Sequence, residues 1–174
     1  MAKNLDLRAF IKDVPDFPKK GIVFKDITPL LSDAKALAAA IERMAEPFAG
    51  RGIKLVAGIE SRGFLLAAPV ACRLGAGVAL VRKKGKLPRK TLSVSYSLEY
   101  GEDVLEAHAD AVPSGSNVLL VDDVLATGGT AEAACRLMEK LGGKIVGLSF
   151  LMELGFLSGR EKLGGREILS LLNY

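Results

Sequence analysis

Val118-Leu119-Leu120-Val121, then Asp122-Asp123-Val124-Leu125, then Ala126-Thr127-Gly128-Gly129-Thr130, is a run that joins a buried strand to the start of a helix. The apolar residues of 117–121 predict a strand covered on both faces. Helical spacing resumes over 130–141 and closes on Gly142-Gly143, a C-cap signal. Ligands in open α/β sheets gather beyond the carboxyl ends of strands, and Asp122 and Asp123 are expected at such an end. The glycines let backbone approach an anion, and the helix N-terminus adds free N–H groups and positive potential, with Thr127 and Thr130 offering hydroxyls. Such a loop suits a phosphate monoester, and adjacent carboxylates suit the 2′ and 3′ hydroxyls of a ribose, directly or near a hydrated Mg²⁺. Taken alone, the Gly-Gly pair reads equally well as a tight turn behind an acidic N-cap. No Gly-x-x-x-x-Gly-Lys-Ser/Thr pattern occurs, so a Walker loop is excluded.

The rest of the chain repeats the same alternation. Further buried strands are expected at 54–59, 77–81 and 144–152, with a short one at 168–172, and helices at 33–48 and 64–74. An amphipathic helix is expected over 5–14, ended by Pro15 and Pro18. Residues 91–98 alternate polar and apolar with period two and predict one strand of a hairpin that pairs with 104–109 and leaves the core as a wet excursion. The fold class is therefore α/β, a mainly parallel twisted sheet flanked by helices, with a hairpin inserted. At 174 residues, 49% hydrophobic and 25% charged, the sequence fits one globular domain, 1–174.

Cys72 and Cys135 lie too far apart for a metal-spaced set and are expected to be reduced, buried thiols. No apolar leader precedes Arg8 and no stretch suits a bilayer, so a cytoplasmic protein without a membrane partner is expected. The net charge is +4, and Arg82, Lys83, Lys84, Lys86, Arg89 and Lys90 crowd one short segment. Such a charge balance suits nucleic acid, a membrane surface or small polyanionic ligands, and no helix-turn-helix or aromatic-basic platform is found for nucleic acid. His108, the single histidine, has no partner pattern and reads as a structural or surface residue.

The 118–130 run resembles the segment by which phosphoribosyltransferases bind phosphoribosyl pyrophosphate (PRPP). Three further segments resemble the adenine phosphoribosyltransferases, and together the similarity covers nearly the whole chain. Asp16-Phe17-Pro18 with 21–29 is similar to that family's base-pocket segment (about 15–30), which implies an adenine slot at Val23 and Phe24, to which Leu154 contributes. Lys25 stands where many relatives carry Arg, a point charge in place of a planar fork, so no role is transferred to it. Glu60-Ser61-Arg62-Gly63 resembles the pyrophosphate loop, with a strained Glu60–Ser61 peptide that exposes N–H groups.

Residues 82–101 resemble the β-hairpin hood that closes over the site. The resemblance implies that Arg82, Lys83 and Lys86 meet the departing pyrophosphate and that Glu99 and Tyr100 swing over base and sugar. Glu99 becomes the candidate acid/base at the adenine N9 proton. Phe150–Leu154 and Ser158-Gly159-Arg160-Glu161-Lys162-Leu163 also fit. The family implies adenine, PRPP, AMP and pyrophosphate as ligands, Mg²⁺ carried mainly on ligand oxygens and water with no metal ligated by protein side chains alone, and a homodimer. On the same fold the base alternatives are hypoxanthine, guanine, xanthine or orotate. A PRPP-sensing regulator would need an added nucleic-acid element, which the sequence does not supply.

Overall fold

The computed structural model describes residues 5–97 and 102–174. In chain order the strands are β1 (Lys12–Pro15), β2 (Val23–Asp26), β3 (Ile53–Ile59), β4 (Gly77–Lys83), β5 (Thr91–Ser97), β6 (Glu102–His108), β7 (Asn117–Leu125), β8 (Lys144–Glu153) and β9 (Ile168–Asn173). The helices are α1 (Thr28–Ser32), α2 (Ala34–Ala45), α3 (Arg62–Leu74) and α4 (Gly129–Lys140). β1 and β2 form a small antiparallel ribbon, while the other seven strands make one sheet in the order β5-β6-β4-β3-β7-β8-β9. Its five strands from β4 to β9 run parallel, and the hairpin is added antiparallel at the β4 edge.

Strand β7 shows why the central run had to be apolar on both faces. Leu119 and Val121 pack into a core with α2 and α3, and Val118 and Leu120 pack into another with α4. Helices therefore cover both sides, as the alternation predicts. Asp33 caps α2 by accepting from the N–H groups of Lys35 and Ala36, which satisfies two donors that the first turn leaves free. Gly142, at φ 92°, lets the chain reverse after α4, and the N–H of Gly143 donates to the Met138 carbonyl.

Two neighbours in the sheet set the position of the site. The crossover through α3 carries the chain from β3 to β4 on one side, and that through α4 carries it from β7 to β8 on the other. The connections leave in opposite directions, so the C-terminal ends of β3 and β7 diverge into a crevice, a topological switch point. Pairing of β3 with β7 ends at Gly58–Val121, whereas β7 continues beside β8 to Leu125–Glu153. The end of β7 thus overhangs the crevice.

Four sequence expectations need correction. Residues 5–14 form a short 3-10 turn, Leu7–Phe10, and then the strand β1, because pairing with β2 from Lys12–Asp26 to Pro15–Val23 outweighs the helical spacing. Asp122 and Asp123 lie within β7 rather than after it. The hairpin keeps a wet face at Ser93 and Ser95 but does not leave the core, because Leu105 and Ala107 are buried on the α4 side and α4 reaches it through Arg136 and Lys140, which donate to the Ser95 and Ser93 carbonyls. Cys72 is exposed while Cys135 is buried; the buried residues of α3 are Gly63, Leu66, Ala67, Val70 and Ala71, and Cys72 falls on the opposite stripe.

Helix α3 approaches β3 at Gly58, where a Cβ would lie 2.7 Å from the Ala67 Cβ. Replacing Gly58 with Ala is expected to push α3 outward and destabilise the fold by about 1–3 kcal/mol, read as a lower urea midpoint. An unchanged midpoint would show that this contact is slack.

Candidate functional site

A cleft of about 430 Å³ opens at the divergence of β3 and β7. One wall is the β3–α3 turn, Ile59 to Arg62, and the other is the β7–α4 turn from Asp122 to Ala131, with Lys83, Tyr96, Asp103 and Leu105 closing the hairpin side. The Glu60–Ser61 peptide is cis. Gly63 follows because a Cβ there would lie 2.6 Å from Asp122 Oδ1, and so α3 starts against the acidic pair.

Asp122 Oδ1 accepts the N–H of Asp123 at 2.9 Å, and Asp123 Oδ2 lies 2.9 Å from Arg62 Nε. Burial, reinforced by the Asp123 charge, pushes the Asp122 carboxyl well above the ordinary range. Burial raises Asp123 as well, while the Arg62 charge opposes the rise. Arg62 also places its guanidinium 4.8 Å from the Phe24 ring centroid. One cation therefore bridges the acidic pair and the aromatic face of the next pocket.

Helix α4 begins from Gly128, in the left-handed conformation at φ 80°, with no side-chain cap. Its first N–H groups and its positive end are left for a ligand in the cleft. Thr127, Gly128, Thr130 and Ala126 all line the cleft, and Thr130 Oγ1 donates to the Tyr96 hydroxyl at 3.4 Å.

Opposite these groups lies the basic run. Glu60, whose side chain is only 9% exposed, takes Lys86 Nζ at 2.6 Å, Arg82 Nε at 3.2 Å and the Lys83 N–H at 3.0 Å. Burial alone would raise Glu60, but the hydrogen bonds from Lys86, Arg82 and Lys83 overcome it and hold the carboxyl at about 2. Lys83 Nζ pairs with Asp103 at 3.1 Å, and that hydrogen bond raises the Lys83 pKa. Asp103 also accepts from the Tyr96 hydroxyl at 3.2 Å.

Beside the cleft is an apolar slot of about 180 Å³ between Ile22, Val23, Phe24, Val124, Met152 and Leu154. Phe17 meets Phe24 edge to face at 5.2 Å, so the flat Phe24 surface is fixed in orientation. Lys25, also at the slot, is paired to Asp13 at 2.7 Å and sits 4.1 Å above the Tyr174 ring.

The structure thus brings together the acidic pair, the 126–130 loop, Arg62, Arg82, Lys83 and the slot residues Val23, Phe24 and Leu154. Glu99 and Tyr100 lie outside the described residues. The Glu60 carboxylate is turned onto Arg82 and Lys86. Tyr96 and Asp103 were missed by the sequence reading; the period-two pattern of 91–98 put Tyr96 on the apolar face, and nothing local marked Asp103.

A phosphoribosyl transferase domain model matches residues 24–162. The adenine phosphoribosyltransferase of Thermobifida fusca is 61% identical over 162 residues, covering 93% of this chain and 92% of that protein. That of Myxococcus xanthus is 53% identical over 169 residues, covering 97% and 92%. The crystal structure of adenine phosphoribosyltransferase from Thermoanaerobacter pseudethanolicus superposes with a TM-score of 0.93 at 55% identity, covering 97% of this chain and 98% of that one. The Saccharomyces cerevisiae enzyme, complexed with an imino-altritol bisphosphate and adenine, superposes at 0.90 with 40% identity, covering 95% and 96%.

Two carboxylates in this site respond to pH with opposite signs. Asp122 is raised in the folded state, so the fold loses stability as pH climbs from 3.8 through its folded value. Asp122→Asn is therefore expected to be more stable than the wild type at pH 8 and to lose that advantage toward pH 4. Glu60 is depressed from 4.5 to about 2, so its contribution is present above 4.5 and disappears as pH falls through 2. Glu60→Gln should accordingly destabilise at neutral pH and little in strong acid. Urea midpoints measured across pH check both; parallel pH curves for wild type and variants would refute the assignments.

Proposed function

The chain belongs to the phosphoribosyltransferase family, among the adenine phosphoribosyltransferases, and we propose from that premise how its residues share the reaction. It transfers the 5-phosphoribosyl group of PRPP to adenine and yields AMP and pyrophosphate, a step of purine salvage. The observation that carries the residue assignment is the crevice between β3 and β7, where the Asp122–Asp123 pair, the uncapped start of α4 and the cations of two other elements face one space.

The α4 loop, Ala126 to Thr130, holds the 5′-phosphate through backbone N–H groups and the Thr127 and Thr130 hydroxyls. This remote handle fixes the anomeric carbon between leaving group and base, converting binding energy into orientation. Asp122 and Asp123 accept the 2′ and 3′ hydroxyls of the ribose. Their charge, little screened in a buried site, favours the oxocarbenium-like ring of the transition state. The Glu60–Ser61 backbone and Arg62 bind the pyrophosphate from one side, and Arg82, Lys83 and Lys86 stabilise its growing charge from the other. The Glu60 side chain acts as their counter-ion and keeps them near the cleft.

Adenine lies in the slot formed by Val23, Phe24 and Leu154, stacked on Phe24. Glu99 takes the N9 proton as the C–N bond forms, and Tyr100 closes over the base, both carried by the hood. Mg²⁺ fits this cleft: the two buried carboxylates are raised in pKa and gain from a nearby cation. Among the described residues no three His, Cys, Asp or Glu side chains group as a metal site, so PRPP oxygens and water would complete the shell. When bound, the ion supplies charge neutralisation to the pyrophosphate. A cytoplasmic homodimer completes the proposal, resting on the family. Among the described residues no helix is long and apolar enough to cross a membrane.

Two sets of variants separate the roles. Replacing Asp122 and Asp123 together with Asn is expected to raise the KM for PRPP by about a hundredfold or more. Glu99→Gln is expected to lower kcat by about 10²–10⁴ with PRPP affinity retained. Steady-state kinetics with PRPP and adenine varied independently checks both. Wild-type PRPP affinity in the double variant would overturn the ribose assignment, and wild-type kcat in Glu99→Gln would remove the acid/base role.

A further inference from the structure

The sequence Ser158-Gly159-Arg160-Glu161-Lys162-Leu163 has no part in the reaction as assigned above. It nevertheless touches the phosphate loop. After β8 the chain turns through a 3-10 segment, Gly155–Leu157, passes Ser158 at φ 51°, and enters a second, Gly159–Leu163. Gly159 is buried there. A Cβ on Gly159 would fall on the Ala126 carbonyl and 3.1 Å from the Gly128 nitrogen, and a Cβ on Gly128 would fall on the Gly159 carbonyl. The two glycine backbones are in direct contact, with no room for a side chain on either.

A charged fork holds this contact from behind. Glu153, at the end of β8 and 6% exposed, receives Arg160 Nε at 2.7 Å and 2.8 Å on its two oxygens. Arg160 Nη2 lies 2.7 Å from the same carboxylate. The remaining donors reach the Ile168 carbonyl and the Ser170 hydroxyl at 3.3 Å. Fork geometry of this kind fixes direction as well as distance. Leu163, fully buried, anchors the far end of the turn. The neighbour of Glu153, Leu154, donates its N–H to the Leu125 carbonyl at 2.9 Å and lines the apolar slot.

We propose that Gly159 and Arg160 are positioning residues for the phosphate loop: the Glu153–Arg160 fork presses the Gly159 backbone against 126–128 and sets the direction in which that loop presents its N–H groups. Neither residue touches substrate. The inference rests on the reading of 126–130 as the 5′-phosphate site. Because Leu154 extends from the same carboxylate-bearing residue, one brace aligns the phosphate loop and the wall of the base slot.

The test measures affinity for two probes, ribose 5-phosphate and inorganic pyrophosphate, in the full-length protein, with urea midpoints taken alongside. Gly159 is not in the positive-φ region, so Gly159→Ala carries no penalty for its own backbone and perturbs the contact with Ala126 and Gly128 of the loop. It is expected to weaken ribose 5-phosphate by about tenfold or more, since small misplacements of a binding loop are costly, while pyrophosphate affinity stays within about twofold. Arg160→Met should do the same, and Arg160→Lys should recover part of the loss. Arg160→Met leaves a buried carboxylate unpaired, so Glu153→Gln with Arg160→Met provides a neutral form that folds without the fork, with the same selective loss expected.

Thr127→Val with Thr130→Val serves as the reference for the loop itself. If those threonine replacements leave ribose 5-phosphate binding intact, the underlying phosphate-site reading fails. If they weaken it and every folded Gly159 and Arg160 variant keeps wild-type affinity, the brace is overturned. An equal loss of both probes would also overturn it, since that is the mark of general damage.

Discussion

Two carboxylates on successive residues, Asp122 and Asp123, are set into a buried strand end, and the rest of the site is arranged around the cost of keeping them there. Burial disfavours the ionised form of both carboxyls, and the Asp123 charge raises Asp122 further, which is why both are pushed upward. Arg62 supplies the nearest cation, and the backbone N–H of Asp123 supplies one local donor. That partial compensation leaves a site electrically prepared for a ligand with positive character, such as a ribosyl ring losing its pyrophosphate. A protein built for stability alone would place apolar residues here.

The sheet makes this arrangement available without special loops. Crossovers that leave β3 and β7 in opposite directions open one crevice, and each strand feeds a helix whose first turn lies beside it. Glycines then permit approaches that a side chain would forbid: Gly63 against Asp122, and Gly128 against Gly159. The hairpin brings Tyr96 and Asp103, and the end of β4 brings Lys83, to the same cleft from a third direction. In the proposed assignment, binding of the sugar phosphate, the leaving group and the base is divided among elements far apart in sequence.

What could be read from the sequence follows from how local each feature is. The strand–loop–helix of 118–130 was legible because its structural signals lie in consecutive residues. The apolar strands and α2, α3 and α4 were legible through periodicity. The 5–14 segment was not: Leu7, Phe10 and Ile11 keep helical spacing because they pack on the core, yet the backbone past Phe10 pairs with β2. Only the partner strand decides that. Cys72 shows the same limit, since one step along α3 separates a buried Ala71 from an exposed thiol. Tyr96, Asp103 and the Glu153–Arg160 fork become visible only when distant segments meet. Glu60 was grouped with its neighbours through the Glu60–Ser61 peptide, and the pairing of its carboxylate with Lys86 and Arg82 needs the fold to be seen.

The most direct measurement incubates the protein with PRPP, Mg²⁺ and one base at a time, following pyrophosphate release. Rapid release with adenine is predicted, with hypoxanthine, guanine, xanthine and orotate slower by at least about a hundredfold. Release with another base at the adenine rate, or none with adenine, would contradict the account.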